Sequence, residues 1–402
     1  MREMIFTRRE DSLSLGNTLV DALDERIDHP VHLHDETLRD GEQTAGIAFS
    51  AERKIEIAKA LFDAGVRFLN AGFPAVSQEE RDTVRAIARE GRSARITCLS
   101  RPIKSNIEAV IACEVEWVSL FIAISDCHLQ HKLHLTPEAA HQKMVDGIRL
   151  ARSHGLNVRF AFEDLSRTPL ERIKRFAGGA LEAGAKMITV CDTCGVLTPN
   201  TARRLIEALV PVTGGDALVI HFHNDLGLAV ANSLAACAGG AFHVQATLLG
   251  LGERSGNASL EQMAVALRAK HGLASELALD KLTAAAGRVA EMLGYPIPPT
   301  QPIVGANVFG HESGIHVNGI LADTATYEAF PPELVGRRHE VRFGKHSGLS
   351  NIRFVADRLE LALDDARLEE VLAFVKRRGE MNAPPSEAEV EAALRALHDH
   401  GR

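Results

Sequence analysis

His221-Phe222-His223 is the pair of side chains in this sequence best placed to hold a metal ion. In a β-strand, residues i and i+2 point to the same side, so two imidazoles at this spacing offer nitrogen ligands to one point. A carboxylate would complete a two-histidine, one-carboxylate site that keeps coordination positions open for a substrate. Asp40, in Thr37-Leu38-Arg39-Asp40-Gly41-Glu42-Gln43, is the candidate. The alternative is a pair of ordinary hydrogen-bonded histidines. Other chemistry-bearing residues also follow short β-rich runs: Arg39 and Gln43, Glu163, Asp192 and Thr193, Asn224 and Asp225, then Glu253, Arg254 and Asn257. Leu249-Gly250-Leu251-Gly252-Glu253 reads either as a phosphate-binding loop or as a tight turn.

These residues need elements that bring them to one face. From about residue 30 to 265 a β-rich run alternates with a stretch of helical spacing. The expected strands are 31–36, 66–72, 95–100, 117–125, 157–164, 186–193, 217–223 and 242–250. Stretches such as 50–65 and 200–214 carry apolar residues three and four apart. Gly65, Gly155 and Gly184 follow helical runs, where a left-handed cap is wanted. Eight such alternations predict an α/β fold, a (β/α)8 TIM barrel, over an open doubly wound sheet. Active sites of such barrels lie at the C-terminal ends of the strands, where the residues above would converge, with Asp40 and Asn257 on one rim. After about 275 the rhythm changes to a helix at 279–293, a proline-rich connector at 295–305, a loop-rich region, and two charged amphipathic helices broken at 382–389. The expected organisation is an N-terminal extension at 1–29, a catalytic barrel at 30–275, and a linker with a mostly helical C-terminal subdomain at 276–402.

The chain has 402 residues, 46% hydrophobic and 24% charged, an ordinary balance for a globular enzyme. A net charge of -8 argues against nucleic acid as the main partner. No apolar run is long enough to span a bilayer, and the start lacks a signal-peptide core, so a cytoplasmic protein is expected. The six cysteines lie mostly in apolar segments and suggest reduced thiols over disulfides. Cys191-Asp192-Thr193-Cys194 is a C-x-x-C, which reads as a redox pair, half a zinc site, or two strand-end cysteines. His311, His316 and Tyr327, and the basic Arg337, Arg338, Lys345 and His346, receive no role from their spacing alone.

Four ordered motifs carry a resemblance. Thr37 to Gln43, His221-Phe222-His223-Asn224-Asp225-Leu226-Gly227-Leu228-Ala229, Gly250-Leu251-Gly252-Glu253-Arg254-Ser255-Gly256-Asn257 and His311-Glu312-Ser313-Gly314-Ile315-His316 resemble the 2-isopropylmalate, homocitrate and citramalate synthase family. The match runs from about residue 30 to 350. The resemblance implies an acyltransferase that condenses acetyl-CoA with a small 2-oxo acid, using a divalent cation (Mg²⁺, Mn²⁺ or Zn²⁺). It implies a homodimer in which the C-terminal subdomain of one chain covers the barrel mouth of the other. It assigns the metal to Asp40, His221 and His223, with Asn257 reaching it directly or through water. Arg39 steadies the keto oxygen, and Thr193 contacts the 2-oxo acid's carboxylate with Gln43 also on the substrate. Glu163, His316 and Tyr327 serve proton transfer, with Glu163 orienting His316 as the base.

Within the family, residues 248–257 and 344–348 look most like nitrogen-fixation-type homocitrate synthases, which act on 2-oxoglutarate. The chain looks too short for the leucine-sensing domain of typical isopropylmalate synthases. Two positions depart from the usual pattern: Asn70 stands where many members carry glutamate, and Cys194 where valine or leucine is common. A carboxylate lost at residue 70 would suit a more anionic substrate, met by His128, His131 and Lys132, as in 2-phosphonomethylmalate or 2-phosphinomethylmalate synthases of antibiotic pathways. Isopropylmalate and citramalate synthase remain alternatives. A retro-aldol lyase or biotin-linked carboxyltransferase on the same barrel, and a non-catalytic metal-binding relative, are the competing classes.

Overall fold

In the computed structural model the described residues are 23, 26–91, 93–274 and 276–399, so most of the expected N-terminal extension lies outside them. They form two compact units, one from Leu23 to Pro296 and one from Ile297 onward.

The first unit is a closed, all-parallel barrel: β1 (His32–Asp35), β2 (Phe68–Asn70), β3 (Arg95–Ser100), β4 (Trp117–Ala123), β5 (Asn157–Glu163), β6 (Met187–Asp192), β7 (Leu218–Phe222) and β8 (His243–Ala246). β8 pairs with β1 to close the ring. All eight lie inside the expected strands, but β8 stops four residues early. Leu248–Gly250 turns as a 3-10 helix with Leu249 at φ 60, which no strand accommodates. Gly65, Gly155 and Gly184 take positive φ as their capping positions require.

Several helices between strands start at side-chain caps. Ser50 accepts from Arg53 N–H at α1 (Ala51–Asp63), and Ser77 from Glu80 N–H at α2 (Gln78–Glu90). Leu279–Leu293 also belongs to this unit, and Ala278 N–H before it donates to Ala64 O.

The barrel interior is unusually polar. Strand alternation puts His34, Ser119, Arg159 and Gln245 inside, where Arg159 and Gln245 donate to Glu36, just past β1, while Ser119 and His34 bond to Arg159. Most barrels fill this space with branched aliphatic side chains. The β1 loop is tied down from outside by Lys54 on α1. Its ammonium is buried and pairs with Glu42 at 2.6 Å and Glu80 at 2.7 Å, as a buried charge requires.

Asp35, at the end of β1, is fully buried. Its carboxyl accepts from Thr37 N–H at 3.0 Å and Thr37 Oγ at 2.7 Å, yet burial pushes its pKa up to about 7. Such a group keeps its proton in the folded chain at pH values where the unfolded chain has lost it, so stability falls as pH rises from about 4 towards 7. Glu261 is raised to about 7 for the same reason. Asp35→Asn is expected to be less destabilised than wild type on moving from pH 5 to pH 8, read as urea midpoints. An equal pH response in both proteins would show that Asp35 ionises normally.

The second unit has a two-stranded parallel pair, β9 (Gly310–His311) with β10 (Glu340–Val341). Four helices follow the expected pattern or add to it: Gly314–Ala322, Leu349–Arg358, Asp365–Glu380 and Glu387–Asp399. Val317, Phe343, Ile352, Val371, Val390 and Leu394 are part of their core. The break between the last two helices contains Pro384 and Pro385, neither of which has an N–H to continue a helix.

Candidate active site

His221 lies in β7 and His223 one residue past it, both buried. Their Nε2 atoms are 3.3 Å apart. Asp40 Oδ2 is 3.2 Å from His221 Nε2 and 3.9 Å from His223 Nε2. These three residues are the one His/Cys/Asp/Glu cluster among the described residues whose ligand atoms converge. Burial, with His221 alongside, pushes the His223 imidazole down to about 4, so it is neutral near pH 7 with a lone pair to give. Burial would favour protonated Asp40, but Arg39 and the two imidazoles hold its carboxyl well below the usual range. Two ring nitrogens and an ionised carboxylate thus face one another, with both Nδ1 atoms buried and unpartnered. Such a convergence of lone pairs calls for a cation, and a nitrogen–nitrogen–oxygen set suits a divalent metal.

Asn257 reaches this cluster because the loop after β8 folds back onto the end of β7. His223 and Asn257 form a bridge, with Asn224 N–H donating to Gly256 O at 2.9 Å. Asn257 Nδ2 donates to Asp40 Oδ2 at 2.9 Å and Leu251 O at 2.9 Å, leaving its Oδ1 buried without a partner. A Cβ on Gly252, at φ +155, would collide with that amide. This glycine therefore makes room for Asn257.

Arg39 sits between two carboxylates. Its Nε and Nη2 donate to Glu36 Oε2 at 2.9 and 2.7 Å, and its Nη1 lies 3.4 Å from Asp40 Oδ1. Burial works against its charge, but Asp40 and Glu36 raise its pKa. Asn70, buried at the end of β2, donates from Nδ2 to Glu36 Oε2 at 2.8 Å. The carboxylate expected to be missing at residue 70 is therefore supplied by Glu36 on the neighbouring strand. This removes the premise that the pocket had lost a negative charge. Glu36 and Arg159 escaped the sequence reading, although Arg159 shares a strand face with Glu163 four residues on. A charge at that parity inside a barrel strand was the available signal.

Thr193 follows β6. Its Oγ accepts from Asp164 N–H at 2.8 Å, so its own proton is free to donate elsewhere. Glu163 ends β5 and accepts from Lys132 Nζ at 2.5 Å, with His128 Nδ1 at 3.6 Å. Lys132 lies in a π-helical turn, Leu129–Leu133, a local form often found at functional sites. Gln43 is exposed on the 3-10 turn Gly41–Gln43. In the second unit, the rings of His316 and Tyr327 lie 4.1 Å apart, both exposed. Gly319 allows this, since a Cβ there would come within 2.8 Å of the Tyr327 ring. Cys191 and Cys194 are free thiols, and burial raises the pKa of both, which argues against a reactive pair.

Residues 30–289 match the HMGL-like family, and residues 303–383 match the homocitrate synthase post-HMGL domain-like family. The chain is 42% identical over 357 residues to a protein of Ignicoccus hospitalis named "Probable 2-isopropylmalate synthase", covering 89% of this chain and 90% of that one. It is 40% identical over 365 residues to homocitrate synthase AksA of Methanopyrus kandleri, covering 91% and 92%. Among solved structures, the HMG-CoA lyase of Bacillus subtilis superposes with a TM-score of 0.61 at 22% identity, over 67% of this chain and 95% of that one. That likeness reports the barrel fold. The two sequence relatives name different products at nearly the same identity.

Proposed function

The chain belongs to the HMGL-like family, and on that premise we propose that it is an acyltransferase condensing acetyl-CoA with a 2-oxo acid and releasing CoA. The observation that carries this reading is the buried convergence of Asp40, His221 and His223 beside the guanidinium of Arg39. The names of the relatives, isopropylmalate and homocitrate synthase, support the same reaction class.

A divalent cation held by Asp40, His221 and His223, with Asn257 beside it, would supply Lewis acidity to the keto group of the 2-oxo acid. Arg39 places fixed positive charge where negative charge grows on that oxygen. The free proton of Thr193 Oγ is available to the substrate carboxylate, with Gln43 at the rim. A thioester methyl needs a base to lose its proton, and His316 takes this role with Tyr327 and Glu163. The resulting carbanion attacks the keto carbon, and water then cleaves the thioester to give a 2-hydroxy-2-carboxymethyl acid and CoA. The second unit acts across a homodimer, over the barrel mouth of the other protomer.

The 2-oxo acid is of the 2-oxoglutarate type. His34, Glu36, Asn70, Ser119, Arg159 and Gln245 make the barrel interior polar, and Thr97 and Thr189 leave buried hydroxyls unpartnered. A branched aliphatic side chain would gain little beside these groups, whereas a polar one can pair with the unpartnered Thr97 and Thr189 hydroxyls. The test is free-thiol release from acetyl-CoA with 2-oxoglutarate, 2-oxoisovalerate, pyruvate, oxaloacetate and phosphonopyruvate. The expected result is the highest kcat/KM with 2-oxoglutarate, by at least about tenfold, a difference of about 1.4 kcal/mol. A preference for 2-oxoisovalerate would overturn the substrate assignment and leave the reaction class standing. A preference for phosphonopyruvate would restore the phosphonate reading.

A further inference from the structure

Glu36 has no role in the chemistry above, yet it is the most heavily hydrogen-bonded carboxylate of the barrel interior. It is fully buried. Its Oε2 accepts from Arg39 Nε, Arg39 Nη2 and Asn70 Nδ2. Its Oε1 accepts from Arg159 Nη2 at 2.8 Å and from Gln245 Nε2. A carboxylate offers about four lone-pair sites, so five donors leave nothing for a substrate. Glu36 is thereby neither a base nor a substrate ligand.

What it does is fix the two guanidiniums. Arg39 spends Nε and one Nη2 proton on Glu36 and aims Nη1 toward Asp40. That fork leaves its remaining N–H groups in one orientation. Arg159 is held from three sides, by Glu36, by Ser119 Oγ at 3.2 Å and by His34 Nδ1 at 3.2 Å. The neighbour on β2 is an amide, which donates a hydrogen bond to Glu36. A carboxylate at residue 70 would set two acceptors against each other at the same spacing, and buried like charges repel.

We infer that Glu36 is the positioning residue for Arg39 and Arg159 in the condensation, and that β1 and β2 share a single carboxylate which either strand can carry. The inference rests on the proposed reaction. Glu36→Gln keeps the side-chain shape and removes the charge that orders Arg39. Asn70→Glu adds a second carboxylate beside the first. The double variant, Glu36→Gln with Asn70→Glu, returns one carboxylate and one amide to the same contact with their strands exchanged.

The experiment is a double-mutant cycle on kcat and on KM for the 2-oxo acid, with melting temperatures for all four proteins. Each single variant is expected to lose at least about 30-fold in kcat while KM for acetyl-CoA moves less than about threefold. The double variant is expected to regain at least about tenfold over Glu36→Gln. A purely structural carboxylate would instead move the melting temperatures and leave kcat of the folded singles near wild type, which overturns the inference. A double variant no better than Glu36→Gln, with wild type active, also overturns it and leaves the reaction assignment intact. Absence of thiol release from wild type with every 2-oxo acid would defeat the reaction assignment itself, and this inference with it.

Discussion

His221→Ala is expected to lower thiol release by more than about a thousandfold and to abolish tight binding of a divalent cation. Lewis-acid stabilisation by a bound metal contributes several kcal/mol, and each 1.4 kcal/mol is about tenfold in rate. Removing one of two nitrogen ligands leaves Asp40 and His223, too few to hold a cation against water. The loss should appear in metal content after dialysis as well as in kcat, because the ligand atoms converge before any substrate is present. His221 is buried, so a melting curve on the variant is the control for folding. A folded His221→Ala that still binds one equivalent of metal and turns over would remove the metal assignment.

Arg39→Lys is expected to cost about a hundredfold or more in kcat, in the range found for losing one fixed donor to a developing oxyanion. The substitution keeps the charge and loses the fork. An ammonium is a point donor on a flexible stem, and cannot meet Glu36 through two nitrogens while a third faces Asp40 at 3.4 Å. Glu36 would keep Arg159, Asn70 and Gln245 as partners, so the barrel should still fold. A variant within about threefold of wild type in kcat would mean that Arg39 balances charge but does not touch the reacting group.

The barrel was legible because its strands and helices announce themselves locally, as alternating β-rich runs and three-and-four spacing. The ends were less so. β8 was read four residues too long because Thr247 to Gly250 keeps the apolar composition of a strand, while the positive φ of Leu249 is set by the chain's return toward β7. His221, His223 and Asp40 were found because strand geometry and the rim rule act on single residues. Glu36 was not found, because its importance lies in partners 34, 123 and 209 residues away. Asn70 was read alone as a lost charge. Only the pairing of β1 with β2 shows that the carboxylate sits on the other strand. Residue-by-residue reading misses such exchanges between neighbouring strands.

The most direct test of a metal-dependent condensation is thiol release from acetyl-CoA with 2-oxoglutarate, measured before chelation, after chelation and after adding back a divalent cation. The expected result is activity that requires both substrates, disappears with the metal and returns on its restoration, with one equivalent bound per chain. Thiol release that persists in metal-free protein, or that ignores the 2-oxo acid, would contradict the assignment.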